Sequence, residues 1–323
     1  MHQTRACDIC GNAEGNVPFV ATEMMFGLRD RFTYLRCAAC GCLQLLDPPS
    51  DWSRYYPPTY YAFDPPPSGR TPWLRRSLRR TAVRHALGER SVLGKALGRR
   101  WVLPHFLEWA RHAGVGPDAA ILDVGSGAGH LLVDMENWGF TNLTGVDPYI
   151  PADVEPTRSV RLLKREIGDV GGSFDLVMMH HAFEHMADPE AVLREVARLL
   201  PPGRSLLIRV PVAGKHAWRE YGADWVQLDA PRHLFLHTEQ SIERLAERTG
   251  FAVREVHFDS KAFQFWGSEQ YRRGIPLNDV RSYSIDASRS PFTPAEIEEY
   301  QQTANGLNER HDGDQACFYL RRL

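Results

Sequence analysis

Between residues 119 and 260 short apolar runs alternate with amphipathic stretches, and this alternation constrains the fold more than any other feature of the chain. AAILDVG, NLTGVD, SVRLL, FDLVMM, SLLIRV and FAVREVHF read as strands. HLLVDMENWG reads as a helix stopped by Gly139, and ARLL closes another before PPG. Thr238 N-caps a third, with Glu239 in its first turn, Ile242, Leu245 and Ala246 on one face, and Gly250 as its stop. Strands alternating with helices build a mainly parallel sheet covered on both faces, so the expected class is α/β, doubly wound.

The first of these strands runs into Asp123-Val124-Gly125-Ser126-Gly127-Ala128-Gly129-His130, which opens a helix. Closely spaced glycines at such a turn let the backbone approach a ligand without Cβ contacts. The next strand ends in Gly145-Val146-Asp147, where an acidic side chain can take both hydroxyls of an adenosine ribose. The pattern is not G-x-G-x-x-G, and no Walker lysine follows, which excludes a P-loop.

His181 to His185 spells H-x-x-E-H, the metal-ligand pattern of the inverted zincin peptidases. A zincin needs those residues inside a long helix. Here they directly follow the buried strand FDLVMM, which sets the peptidase reading aside. The carboxyl end of a strand is where open α/β sheets bind ligands, so the histidines stand where an acceptor is expected.

Taken together, DVGSGAGHLL, VDPY and FDLVMMHHAFEHMADPEAVLREVARLLPPGRSLLIRVP resemble the class I, seven-stranded S-adenosylmethionine-dependent methyltransferases over about residues 118–260. The resemblance implies a doubly wound, seven-stranded, mostly parallel sheet whose last strand, DQACFYL, is antiparallel. It implies that Gly125, Gly127 and Gly129 line the amino-acid end of the cofactor, that Asp147 holds the ribose and that Asp123 organises the loop. His180 joins this cofactor set, and Lys164–Asp169 is expected by the adenine. Methyl transfer is an in-line displacement, so an enzyme mainly supplies alignment and a base for the acceptor's proton. A histidine suits that task near neutral pH. His185 is the first candidate base, oriented by Glu184 or a nearby carboxylate, with His181 and His233 as further catalytic candidates.

Four of six cysteines form two knuckles, Cys7-Asp-Ile-Cys10 and Cys37-Ala-Ala-Cys40, each followed by glycine and separated by two strands' worth of residues. This spacing reads as a zinc ribbon with a closed, structural Zn2+ on Cys7, Cys10, Cys37 and Cys40. Cys42 reads as a spare neighbour and Cys317 as core. Residues 50–70 are dense in proline and tyrosine, which excludes a helix interior. A ribbon, a tyrosine-rich arm and this core resemble bacterial methyltransferases that modify sugars. In the sugar C-methyltransferases a Glu-His pair and an N-terminal tyrosine sit at the substrate. Here the pair corresponds to Glu184-His185 and the tyrosine to one of Tyr55, Tyr56, Tyr60 and Tyr61. Those enzymes carry a larger C-terminal domain, which shifts the expectation to O-methylation of a sugar or sugar-linked hydroxyl. C-methylation of a nucleotide-linked keto-sugar and RNA methylation are the alternatives.

The loop WVQLDAPRHLFLHT is expected at the acceptor too, with Arg232 to grip a phosphate or carboxylate. His233 is either a base or, with Glu184 and His185, part of a metal site, as metal dependence among the quinone-biosynthesis O-methyltransferases, which are similar around EHM, implies. The expected organisation is a ribbon over 1–50, arm and basic helical segment over 51–113, and core over 114–323 with an insertion at about 261–313. Phe263, Phe265, Trp266 and Tyr271 give that insertion apolar area for covering the site or for a dimer.

Between Arg70 and Arg111 eleven Lys/Arg face two carboxylates, so this segment is a candidate for peripheral contact with an anionic membrane surface. The formal net charge of the whole chain is −2, which does not point to a nucleic-acid partner. A small molecule, a nucleotide-sugar or a glycan, is the expected partner. MHQTRACDIC lacks the apolar centre of a secretory signal, and no run approaches the roughly 20 residues of a membrane span. A cytoplasmic protein with reduced thiols is the expectation.

Overall fold

The computed structural model describes residues 5–57 and 71–323, so Tyr60, Tyr61 and most of the arm lie outside the described residues. The N-terminal segment forms an antiparallel meander of β1 (Val17–Thr22), β2 (Arg31–Arg36) and β3 (Leu43–Leu45). One cysteine knuckle precedes β1 and the other joins β2 to β3. In each, the following glycine donates its N–H back to the first cysteine's carbonyl, at 2.8 Å for Gly11 to Cys7 and 3.1 Å for Gly41 to Cys37.

The basic helical segment consists of α1 (Trp73–Ala86), α2 (Val92–Arg100) and α3 (Phe106–Ala113). Ser91 caps α2 by accepting from Gly94 N at 2.9 Å, which restarts the helix after the turn at Gly88. α2 packs along α1 so closely that a Cβ on Gly94 would stand 2.8 Å from the Thr81 carbonyl oxygen.

The core continues as β4 (Ala120–Val124), α4 (His130–Asn137), β5 (Asn142–Val146), β6 (Val160–Leu163), β7 (Leu176–His180), α5 (Pro189–Leu199), β8 (Ser205–Pro211), α6 (His216–Tyr221), β9 (Phe235–Leu236), α7 (Glu239–Thr249), β10 (Phe251–Phe258), α8 (Phe263–Arg272), α9 (Pro294–Glu309) and β11 (Gln315–Arg322). The main sheet has seven strands in the order β10-β11-β8-β7-β4-β5-β6. β4 to β8 pair in parallel within it, and β11 is antiparallel to both of its neighbours. Successive residues point to opposite faces of a strand. Accordingly, Leu122, Val124, Val177 and Met179 pack with α5 and α7 on one side, while Ile121, Leu176 and Met178 pack with α3 and α4 on the other. β4 sits between β5 and β7, so the strand order reverses there. Crevices for ligands open at the carboxyl ends of strands at such a switch point.

The ribbon is built into the core. β9, from the loop between β8 and α7, adds a fourth strand to the N-terminal sheet, pairing Leu43 with Leu236 and Gln44 with Phe235. Thr238, which caps α7 as expected, also donates its hydroxyl to the Cys40 carbonyl at 2.6 Å, and Arg248 donates to the Ile9 carbonyl at 2.6 Å. The cysteines belong to the same buried cluster as Ile242, Leu245 and Ala246 of α7. The expected insertion forms α8 and α9. Phe265 and Tyr271 are buried against Trp225, Val226 and Met24, so much of its apolar area is already covered within the chain. No helix among the described residues is long and apolar enough to cross a membrane.

Candidate active site

At the end of β4 the chain turns through the glycine loop. A Cβ on Gly125 would come 2.5 Å from the Cβ of Ala182, which no rotamer can move, so this position is closed to every other residue. Asp147, at the end of β5, folds back onto the loop: Oδ2 accepts from Gly127 N at 3.0 Å and Oδ1 from Tyr149 N at 2.8 Å. Asp123 lies buried beside it. Burial, reinforced by the Asp147 charge, pushes the Asp123 carboxyl up to about 7. Lys164–Asp169 runs from the end of β6 into a single 3-10 turn. His180 ends β7 against Trp109, with ring centroids 4.2 Å apart, and neither of its ring nitrogens has a hydrogen-bond partner. Burial lowers its pKa well below the usual imidazole range. A cradle that only glycine fits, an acidic group at its rim and an imidazole with both nitrogens unpaired suit S-adenosylmethionine.

Next to this loop, HAFEH forms a tight turn rather than a helix: Phe183–His185 is one 3-10 turn directly after β7. His181 holds a left-handed backbone at φ 50°, a conformation uncommon in a non-glycine residue. Its Nε2 accepts from the Arg209 guanidinium at 2.8 Å, which leaves the proton on Nδ1, 3.3 Å from Glu184 Oε1. Nε2 is thus committed to Arg209, while Nδ1 faces Glu184 at ion-pair distance without a hydrogen bond to it. Arg209, fixed by Asp259 at 2.6 Å, was not singled out in the sequence, where a lone cation inside SLLIRV was the available signal.

His185 and His233 are arranged alike. His185 Nδ1 lies 2.8 Å from the Arg232 carbonyl, and His233 Nδ1 lies 2.7 Å from the Gln227 carbonyl. A carbonyl only accepts, so each Nδ1 carries the proton and each Nε2 presents its lone pair. His233 Nε2 faces Glu184 Oε1 at 3.9 Å and Asp229 Oδ2 at 3.8 Å. Glu184 is fully buried, and neither of its oxygens receives a hydrogen bond. Burial alone would raise the Glu184 pKa, but contact with His181 and the nearby His185 and His233 outweigh it and hold the carboxyl at about 2. Burial, with repulsion from His185, holds His233 at about 4. Donor atoms of Glu184, His185 and His233 lie within 4.8 Å of one another. Tyr56 brings its hydroxyl 3.2 Å from His185 Nδ1, while Tyr55 is occupied with Asp30 at 2.8 Å. His237 is buried between Phe183 and Phe235, remote in role from this chemistry.

Arg232 corrects an expectation. It does not reach out to an acceptor anion but is fully buried, paired with Asp229 (Nε to Oδ2, 2.9 Å) and Glu23 (3.3 Å). Its aliphatic stem and planar head are enclosed by the ribbon, the arm and the β8–α7 loop, and its own carbonyl sets the His185 tautomer. Arg232→Met is expected to destabilise the fold by about 3–5 kcal/mol, because two carboxylates stay buried without their cation. Urea unfolding measures this, and an unchanged midpoint would contradict the assignment.

The four knuckle cysteines gather with Cys7 Sγ 3.7 Å from Cys40 Sγ and Cys10 Sγ 3.5 Å from Cys37 Sγ. A tetrahedral zinc with bonds of about 2.3 Å spaces its sulfurs by about 3.8 Å, so the set fits this ion. Cys42 lies buried beside the set, and Cys317 is core.

Residues 103–256 match a family model described as a methyltransferase domain. The match covers just under half of the chain. The ubiquinone biosynthesis O-methyltransferase of Xanthomonas oryzae pv. oryzae is 31% identical over 129 residues, covering 35% of this chain and 53% of that protein. Its counterpart in Erwinia tasmaniensis is 29% identical over 147 residues, covering 40% and 58%. The chain thus spans about half the length of the curated relatives it matches. A solved S-adenosylmethionine-dependent methyltransferase from Mesorhizobium loti is 17% identical, covering 64% of this chain and 91% of that one, with a TM-score of 0.38. The matched residues include the glycine loop, Asp147 and the Glu184, His185 and His233 cluster.

Proposed function

We propose that the protein transfers a methyl group from S-adenosylmethionine to a hydroxyl of a small molecule, with His185 as general base. The cofactor, when bound, supplies an electrophilic methyl on a sulfonium. The observation that carries the reading is the His185 tautomer. The Arg232 carbonyl holds the proton on Nδ1, so Nε2 is a ready acceptor at the switch point beside the glycine loop. Once His185 takes the acceptor's proton, the buried Glu184 carboxylate stabilises the imidazolium. Asp147, with both oxygens committed to the loop and lone pairs remaining, is placed to receive ribose hydroxyls. Transfer to oxygen is favoured by the O-methyltransferases among the relatives. A sugar-linked hydroxyl is favoured by Tyr56 at His185 together with a ribbon-and-arm sequence pattern that resembles sugar-modifying methyltransferases.

A second reading has its own support. His233 faces Glu184 with an unprotonated nitrogen, a donor atom of His185 lies within 4.8 Å of both, and the Glu184 oxygens accept no hydrogen bond. Each imidazole donates its other N–H to a carbonyl, the usual outer-shell bond of a metal-ligating histidine. Glu184, His185 and His233 would then hold a divalent cation that acidifies the acceptor hydroxyl.

Calorimetry with S-adenosylmethionine tests the cofactor assignment. Wild-type protein is expected to bind it, and Asp147→Ala to bind it roughly 10- to 150-fold more weakly, the range for losing a charge-assisted hydrogen bond. No heat from the wild type, or equal affinity in the variant, would sink the assignment.

A further inference from the structure

Three features stand apart from the site: an exposed His112, Glu255 and His257 cluster, a shallow cleft along Ala213–Arg219, and the outer face of the α1–α2 hairpin. The hairpin has the most unusual surface of the three. Residues 73–102 hold nine of the chain's 38 Lys/Arg but one of its 40 Asp/Glu, Glu89. The remainder of the chain is therefore strongly acidic while this segment is strongly basic. The same segment supplies five of the twelve large apolar side chains left exposed among the described residues: Trp73, Leu74, Val92, Leu93 and Val102. Val92 is 91% exposed and Val102 95%, far beyond an ordinary surface residue.

The cations divide by position. Arg76, Arg80 and Arg84, four residues apart, meet Glu136 and Asp118, and Arg79 lies over Trp138. These fasten α1 to the core. Arg75, Arg90, Lys95, Arg99 and Arg100 are exposed and make no ion pair among the described residues. On α2, Val92, Lys95, Ala96 and Arg99 recur at i, i+3, i+4 and i+7 and share the outward face, with Leu93 and Arg100 at its margins. That face mixes bare aliphatic groups with cations and has no acid.

We propose that the outer face of the α1–α2 hairpin docks on an anionic phospholipid bilayer. Cations meet the headgroup phosphates while Trp73, Val92, Leu93 and Val102 enter the acyl boundary, the arrangement by which interfacial helices bind. The acidic remainder is repelled by the same surface, which fixes the orientation with the hairpin inward. The aliphatic side chains favour lipid over nucleic acid, whose phosphates give Val92, Leu93 and Val102 nothing to contact. Two copies of so basic a face would repel each other.

Sedimentation of the full chain with vesicles tests the proposal without S-adenosylmethionine or an acceptor. The protein is expected to bind vesicles of equal parts phosphatidylcholine and phosphatidylglycerol, to ignore pure phosphatidylcholine, and to release in high salt. Each interfacial cation contributes about fivefold, so Lys95→Glu/Arg99→Glu/Arg100→Glu should weaken binding at least about 100-fold. Val92→Ser/Leu93→Ser should weaken it with every charge retained. Brominated lipids should quench tryptophan emission, less so in Trp73→Phe. Thermal melting at the wild-type temperature verifies that the variants fold. Failure of the wild type to sediment with anionic vesicles overturns the proposal. So does unchanged binding by the charge variant, undiminished binding by the serine variant, or a wild-type dimer that these substitutions dissociate.

Discussion

His185→Gln is expected to lower turnover by roughly 10²- to 10⁴-fold at unchanged S-adenosylmethionine affinity, the span removed with a general base. Glutamine keeps a donor toward the Arg232 carbonyl, so the turn and its neighbours stay in place while the proton acceptor is lost. The same assay separates the two readings of the cluster. If His185 acts alone, chelation that leaves the ribbon zinc in place, verified as metal per chain, leaves wild-type turnover intact and His233→Gln retains most of it. If a cation is held there, the same chelation abolishes turnover, added divalent ions restore it, and His233→Gln falls as far as His185→Gln. Wild-type rates in His185→Gln would remove both roles.

The second large effect lies at the ribbon. Cys37→Ser is expected to lose the zinc, measured as metal per chain, and to lower the melting temperature by roughly 10–20 °C for a loss of about 5 kcal/mol. Methyl transfer should vanish with it, although no cysteine is placed at the acceptor. The physical path is short. Cys40 offers its carbonyl to Thr238, β3 pairs with β9, and the Tyr34 hydroxyl donates to the His233 carbonyl at 2.8 Å. Glu23, on the loop after β1, pairs with Arg232, whose carbonyl sets His185. Wild-type protein without bound zinc, or a Cys37→Ser variant with wild-type melting and turnover, would contradict this coupling.

The sheet was legible because its information is local. Apolar runs, Gly139 and Gly250 as stops, Thr238 as a cap and the loop from Asp123 to Gly129 all declare themselves within a few residues. The paired knuckles were legible for the same reason, since their spacing is the constraint. The link between ribbon and core was not. β9 is two residues long, and its partner Leu43 is far away in the chain, so no periodicity announces it. Arg232 misled for a related reason. A cation in a loop beside histidines reads as a ligand grip, and only the fold brings Glu23 and Asp229 to bury it. The three histidines around Glu184, His181, His185 and His233, look equivalent as letters. Arg209 and two backbone carbonyls decide which nitrogen of each carries a proton, and those partners come from β8 and the following loop. The left-handed turn at His181, which aims that ring, has no sequence signature at all.

The borrowed strand sets an order of events during synthesis. β1, β2, β3 and all four knuckle cysteines emerge from the ribosome before the core, but the edge of β3 gains its partner only when Leu236 has been made. At ribosomal speeds of about 5–20 residues per second that interval is roughly 10–40 s. Throughout it the nascent chain displays an open strand edge next to reactive thiols, the combination most prone to wrong pairing. Early capture of zinc would hold the meander closed until β9 arrives to cover it.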